Sequence, residues 1–132
     1  MIKNISRIAC CVLLLLGSSC KESGCNTGLN LTTFRTTLSP TQTSQVTASI
    51  GWTYAEGGSC GLIVYNNGER LLAYDRCAPN AKSQLEVDGF LAVDSQTGAK
   101  WLLLDGSPSA IAECPLQQYQ VQRVAELIVI SN

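Results

Sequence analysis

Residues 61–75, GLIVYNNGERLLAYD, restrict the possible folds more than any other stretch. Leu62 to Tyr65 and Leu71 to Tyr74 are short apolar runs, β-branched or aromatic in part, and Asn66, Asn67 and Gly68 between them tolerate positive φ. Two such runs around Asn-Asn-Gly predict a β-hairpin, and their unbroken apolar character predicts strands buried on both faces. A second hairpin is predicted over 90–105, where FLAVD and KWLLLD flank SQTGA with its turn at Gly98. LNLTTF (29–34) and VTASIGW (46–52) are candidate strands, whereas RTTLSPTQTSQ between them, rich in Thr, Ser and Gln, is expected as loop. YAEGGSC and DGSPS are turn clusters. Near the C-terminus Val121, Val124, Ala125 and Ile128 also fit a helical face, but Tyr119 and Val121 alternate and Ile128 to Ile130 favours β structure. A strand pair is therefore expected there. Short strands separated by turn signals predict an all-β fold, a small antiparallel β sandwich or barrel.

The first residues have a different character. Lys3 and Arg7 precede an unbroken apolar run from Ile8 to Leu16, followed by Gly17, Ser18 and Ser19. That layout is a secretory signal peptide, and the run is shorter than the roughly 20 residues needed to cross a bilayer. Small residues directly before Cys20 resemble a bacterial lipobox, with Cys20 as the lipidated residue. Lys21-Glu22 resembles the charged export tag of Bacteroidetes lipoproteins. These features divide the chain into a lipoprotein signal peptide (1–19), a small polar tether (20–28) and a β domain (29–132). The expected location is the bacterial cell envelope, lipid-anchored, at the outer membrane, facing either the periplasm or the cell surface.

Charge and composition exclude several functions. Nine Lys and Arg oppose ten Asp and Glu, without a basic run in the predicted mature domain, which disfavours nucleic-acid binding. Histidine is absent. That removes the Ser-His and Cys-His nucleophile pairs, an imidazole base and every His-based zinc site. A His-dependent hydrolase is excluded, and no enzyme activity is expected.

Seven cysteines sort by position. Cys10 and Cys11 fall within the signal peptide and Cys20 carries lipid, leaving Cys25, Cys60, Cys77 and Cys114. In an oxidising compartment four cysteines suggest two disulfides, with three possible connectivities. A four-thiolate metal site lacks the usual Cys-x-x-Cys spacing, and free thiols are the remaining option.

Several segments in order, GGSCGLIVYNN, LLAYDRCAP, LEVDGFLAVDSQTGAKW, LDGSPS, CPLQQYQV and LIVISN, are similar to the Rieske-like lipoproteins of Bacteroidetes. The resemblance covers roughly residues 29–132. It implies a small antiparallel β sandwich with two loops that in the family grip a [2Fe–2S] cluster through Cys-x-His and Cys-x-x-His. Here the first loop corresponds to Cys77-Ala78-Pro79 and the second to Asp94-Ser95-Gln96-Thr97. Pro79 stands at a histidine position, and Asp94 and Thr97 replace the second cysteine and histidine. The four degenerate positions are thus Cys77, Pro79, Asp94 and Thr97, of which one keeps a soft donor. The resemblance implies a scaffold without cofactor or metal, with a [2Fe–2S] electron-transfer or thiol-redox protein as the alternative. It also suggests Cys77–Cys114 as one disulfide, because the family's later loop folds over the cluster loops, leaving Cys25 with Cys60.

Three further groups carry weaker signals. Asp75-Arg76 is either a functional pair or a loop anchored by hydrogen bonds, the latter favoured. Asp88, Asp94 and Asp105 are expected as turn formers rather than calcium ligands. Trp52, Tyr54, Tyr65, Tyr74, Trp101 and Tyr119 are expected in the core or half-buried across strands rather than along a ligand groove. The expected role is a binding or structural one, with the membrane reached through lipid and a protein partner whose identity the sequence does not reveal.

Overall fold

The computed structural model describes Cys25 and residues 32–79, 81 and 83–132. The expected signal peptide, the expected lipidation site Cys20, most of the expected tether and residues 29–31 of the first expected strand lie outside the described residues. Ten strands and one short helix follow in order: β1 (Arg35–Thr37), α1 (Pro40–Thr47), β2 (Trp52–Ala55), β3 (Leu62–Asn66), β4 (Leu71–Asp75), β5 (Glu86–Asp88), β6 (Leu91–Val93), β7 (Lys100–Leu102), β8 (Pro108–Ala110), β9 (Gln118–Val124) and β10 (Leu127–Ser131). They form two antiparallel sheets, one of six strands in the order β1-β10-β9-β4-β3-β2 and one of four in the order β5-β6-β7-β8. No described helix is long and apolar enough to cross a membrane.

The β3–β4 hairpin is the centre of the molecule. Its register sets Ile63 opposite Tyr74 and Tyr65 opposite Leu72, so these four side chains share one face. That face packs against Leu85, Ala92, Trp101 and Leu103 from the second sheet and its loops. Leu62, Val64 and Ala73 point the other way, into a second core with Val46 of α1 and Ile128 and Ile130 of β10. Covered on both faces, the hairpin has no position at which a polar residue would meet water, which explains its unbroken apolar runs.

The second hairpin forms as β6 and β7, paired from Leu91↔Leu102 to Val93↔Lys100, and the C-terminal pair as β9 and β10. Three local expectations are corrected. The first expected strand does not form at 32–34; the strand that pairs with β10 is β1, beginning at Arg35. The segment read as loop contains α1. Ser39 Oγ accepts from Gln42 N (3.2 Å), and Gln42 Oε1 accepts from Ser39 N (2.9 Å), a reciprocal cap, with Pro40 in the first turn. The expected 46–52 strand is displaced, because Val46 and Thr47 close the helix and β2 begins only at Trp52. Residues 108–110 of the DGSPS region pair with β7 as β8.

Candidate functional site

Three loops at one end of the hairpin layer build the site. The first leaves β4 at Asp75 and returns at Leu85. Leu85 N donates to Arg76 O (2.7 Å) and Ala78 N to Ser83 O (2.8 Å), and Cys77 bridges Gln84. The second is the β6–β7 turn, entered at Asp94. The third follows β7: it begins at Gly106, whose carbonyl accepts from Leu116 N (3.0 Å), and crosses the other two.

Asp75 organises the first loop. It is fully buried. Its carboxylate accepts from Ser59 N (2.7 Å), Cys77 N (2.8 Å) and the Tyr119 hydroxyl (2.6 Å), with a longer approach from Cys60 N (3.4 Å). These bonds satisfy a charge that would otherwise be costly in a low-dielectric interior. Burial pushes the Tyr119 hydroxyl pKa up, and the hydrogen bond to Asp75 and that residue's charge add to the effect. Gly58 lies so close that a Cβ there would collide with Asp75 Oδ2, and its φ of 62° is itself a conformation that favours glycine.

Asp75 and Arg76 serve separate tasks. Arg76 Nε donates to Leu85 O (2.7 Å), its guanidinium lies 3.5 Å from the Tyr54 ring centroid, and it meets the exposed Glu86 at 3.1 Å. The sequence pair fixes loop geometry on both sides of the strand, as the hydrogen-bonding alternative expected.

The disulfides differ from the expected pairing. Cys60 joins Cys77, and Cys25 joins Cys114. Cys77–Cys114 and Cys25–Cys60 are thereby corrected. The reason is local: Asp75 gathers the Cys60 and Cys77 amides around one carboxylate, so the two Cα atoms lie 5.0 Å apart. Cys114 sits in the third loop, where its carbonyl accepts from Trp101 Nε1 (2.7 Å).

The second loop is held by Asp94. Its side chain is 1 % exposed and accepts from Gln96 N (3.0 Å) and Thr97 Oγ1 (2.8 Å), while Gly98 closes the turn with φ 79°. Burial by itself would raise the Asp94 pKa. The Gln96 amide and the Thr97 hydroxyl outweigh it, helped by the nearby Ser83 hydroxyl, and hold the carboxyl below its ordinary value.

A cleft of about 200 Å³ opens where the three loops meet, and Pro79, Asp94, Thr97, Trp101, Ile111 and Glu113 line it. Three of the four positions that the resemblance assigns to the cluster loops, Pro79, Asp94 and Thr97, therefore line one cleft. Cys77 lies beside them, but its sulfur is bonded to Cys60. An iron–sulfur cluster needs four thiolate or imidazole donors. Among the described residues the cleft offers the Pro79 ring, the Thr97 hydroxyl, an Asp94 carboxylate engaged in its own turn, the Glu113 carboxylate and Cys114, whose sulfur is bonded to Cys25, so this donor set does not fit a [2Fe–2S] group.

Elsewhere, Tyr65, Tyr74, Trp101 and Tyr119 are buried and Tyr54 is half-buried, whereas Trp52 is exposed, at the solvent-facing start of β2. Asp88, Asp94 and Asp105 do not come together among the described residues; Asp105 instead caps its own turn through Ser107 N (2.9 Å). The one convergence of possible metal ligands described is Cys60, Asp75 and Cys77, in which both sulfurs are in the disulfide. The long-range Asp75–Tyr119 bond spans 44 positions and left no sequence signal.

Neither known protein-family models nor the curated proteins give a match to this chain. Among solved structures it is similar to a chain of the complex of reduced oxygenase and oxidized ferredoxin in carbazole 1,9a-dioxygenase, with a TM-score of 0.52 over 68 % of this chain and 87 % of that one. At 17 % identity the likeness concerns the fold alone, and that fold is all-β, antiparallel and Rieske-like.

Proposed function

We propose that this protein is an exported, lipid-anchored β domain that acts by binding or as a structural element, on a Rieske-like scaffold that holds no [2Fe–2S] cluster. The observation that supports it most is the content of the cleft. At the meeting point of the loops stand Pro79, Thr97 and an Asp94 carboxylate whose hydrogen bonds are made within its own turn, while the Cys77 sulfur is committed to Cys60. Two disulfides suit an oxidising envelope compartment. Action through a protein partner agrees with the similar solved structure, which is itself a complex of two proteins. Lys3, Arg7, the apolar run and Cys20 support export and anchoring, since several acyl chains on one cysteine hold a protein firmly at a bilayer.

Metabolic labelling tests the anchored part. The full chain is expressed in a Gram-negative host fed a radiolabelled fatty acid, and its membranes are fractionated. Label on the protein and recovery with the outer membrane are expected, and Cys20→Ala loses both. Unlabelled protein released into the medium would overturn the anchor.

A further inference from the structure

β9 is the longest strand, and one of its edges is only partly used. β10 pairs with it along residues 120–124, but β4 pairs with it at just two positions, Ala73↔Tyr119 and Tyr74↔Gln118. Beyond Tyr119 no ladder pair joins the two strands, and a groove of about 760 Å³ lies there, lined among others by Glu69, Arg70, Leu71, Gln120, Val121 and Arg123.

The direction of the backbone groups follows from the two ends of the strand. Val124 and Leu127 close a two-residue turn, Ala125-Glu126, so they form a hydrogen-bonded pair, as do Gln122 with Val129 and Gln120 with Ser131. Val121 and Arg123 must therefore aim their N–H and C=O groups at the groove. The other end agrees: Asp75 N donates to Gln117 O (2.8 Å), which makes the odd-numbered residues of β9 the ones that bond towards β4. Among the described residues no strand meets Val121 or Arg123 on this side. Neither proline nor a bulge blunts the edge, although such devices commonly protect one.

We propose that this edge is a docking site for an extended peptide strand of a partner protein, carrying acidic side chains. Unpaired strand amides and carbonyls recognise another extended backbone. A five-residue edge is about 17 Å long, enough for a short strand. The β3–β4 turn walls the far side of the groove, so a single strand enters where a second folded copy of this chain would meet the wall. Leu71 and Val121, packed on the core, call for small or β-branched side chains on the inner face. Arg70 and Arg123 outnumber Glu69, and neither has an ion pair among the described residues, which sets the preference for acidic groups. The site is remote from the loop cleft and does not depend on its iron content.

Fluorescence anisotropy with the full chain in detergent tests this, the probe being a labelled synthetic hexapeptide of alternating valine and glutamate. Saturable binding is expected. It falls by about tenfold or more when alternate peptide amides are N-methylated, a change that removes donors and keeps the side chains. The lysine-for-glutamate peptide and Arg123→Glu each weaken it. Val121→Pro, which deletes an N–H facing the groove but no β9–β10 bond, weakens it with little change in the thermal midpoint. Should that variant not fold, the N-methylated comparison decides alone. No binding, equal binding of the N-methylated peptide, or a concentration-dependent dimer of this chain that excludes the peptide would each overturn the proposal.

Discussion

One carboxylate links parts of the chain that no local pattern joins. Asp75 ends the central strand, receives three short hydrogen bonds and brings the partners of one disulfide together. Asp75→Ala leaves the buried Cys77 amide and Tyr119 hydroxyl without this acceptor and is expected to cost about 3–5 kcal/mol. Tyr119→Phe removes one bond and keeps the ring against Phe34, for about 2 kcal/mol. Urea unfolding measures both, and equal losses would contradict the central role of Asp75. Asp94 acts on acid stability. Its pKa in the fold lies below the unfolded value near 4, so its contribution is fully present above about pH 4 and is lost as pH falls through the folded value. Asp94→Asn should flatten the loss of stability in that acid range, followed by thermal unfolding at stepped pH. An unchanged profile would mean that the turn does not depend on the charge.

The elements show where sequence and structure agree, and why. The 61–75 hairpin was legible because both faces are covered, so every position in its runs had to be apolar. The β9–β10 pair was legible through Ile128 to Ile130, a β-branched run whose first and third residues face one core as the alternation of a strand requires. Helix α1 was obscured by its composition. Its Thr and Ser residues have weak helical preference and it buries one residue, Val46. The signal lay in Ser39-Pro40-Thr41-Gln42, whose spacing is that of a capping box with proline at the first turn. Because the cap rather than a broad apolar face holds this helix, Ser39→Ala is expected to cost about 1 kcal/mol and to lower the helical circular dichroism. No change in either would assign the helix to packing instead.

At the scale of the whole molecule, the two cores share one hairpin layer, and two disulfides tie the loops above it. Pro79, Asp94 and Thr97, which the resemblance assigns to two separate loops, line one cleft. The disulfide pairing was not legible in the sequence, because it depends on Asp75 and on Cys25 reaching Cys114 across 89 positions. In the chain-entropy account that bond restrains the unfolded chain by about 4.5 kcal/mol, against about 3 kcal/mol for Cys60–Cys77 across 17 positions. Serine replacement of Cys25 with Cys114 should therefore lower the unfolding midpoint more than replacement of Cys60 with Cys77; the reverse order would place the second bond at the centre of stability. The central claim is that this Rieske-like scaffold lacks the donors for a cluster. Anaerobic reconstitution of the full chain with ferrous iron and sulfide, followed by desalting and assay of iron and acid-labile sulfide per chain, tests it most directly. Background iron and sulfide and no visible absorption band are predicted; two irons and two sulfides per chain with a stable visible band would contradict it.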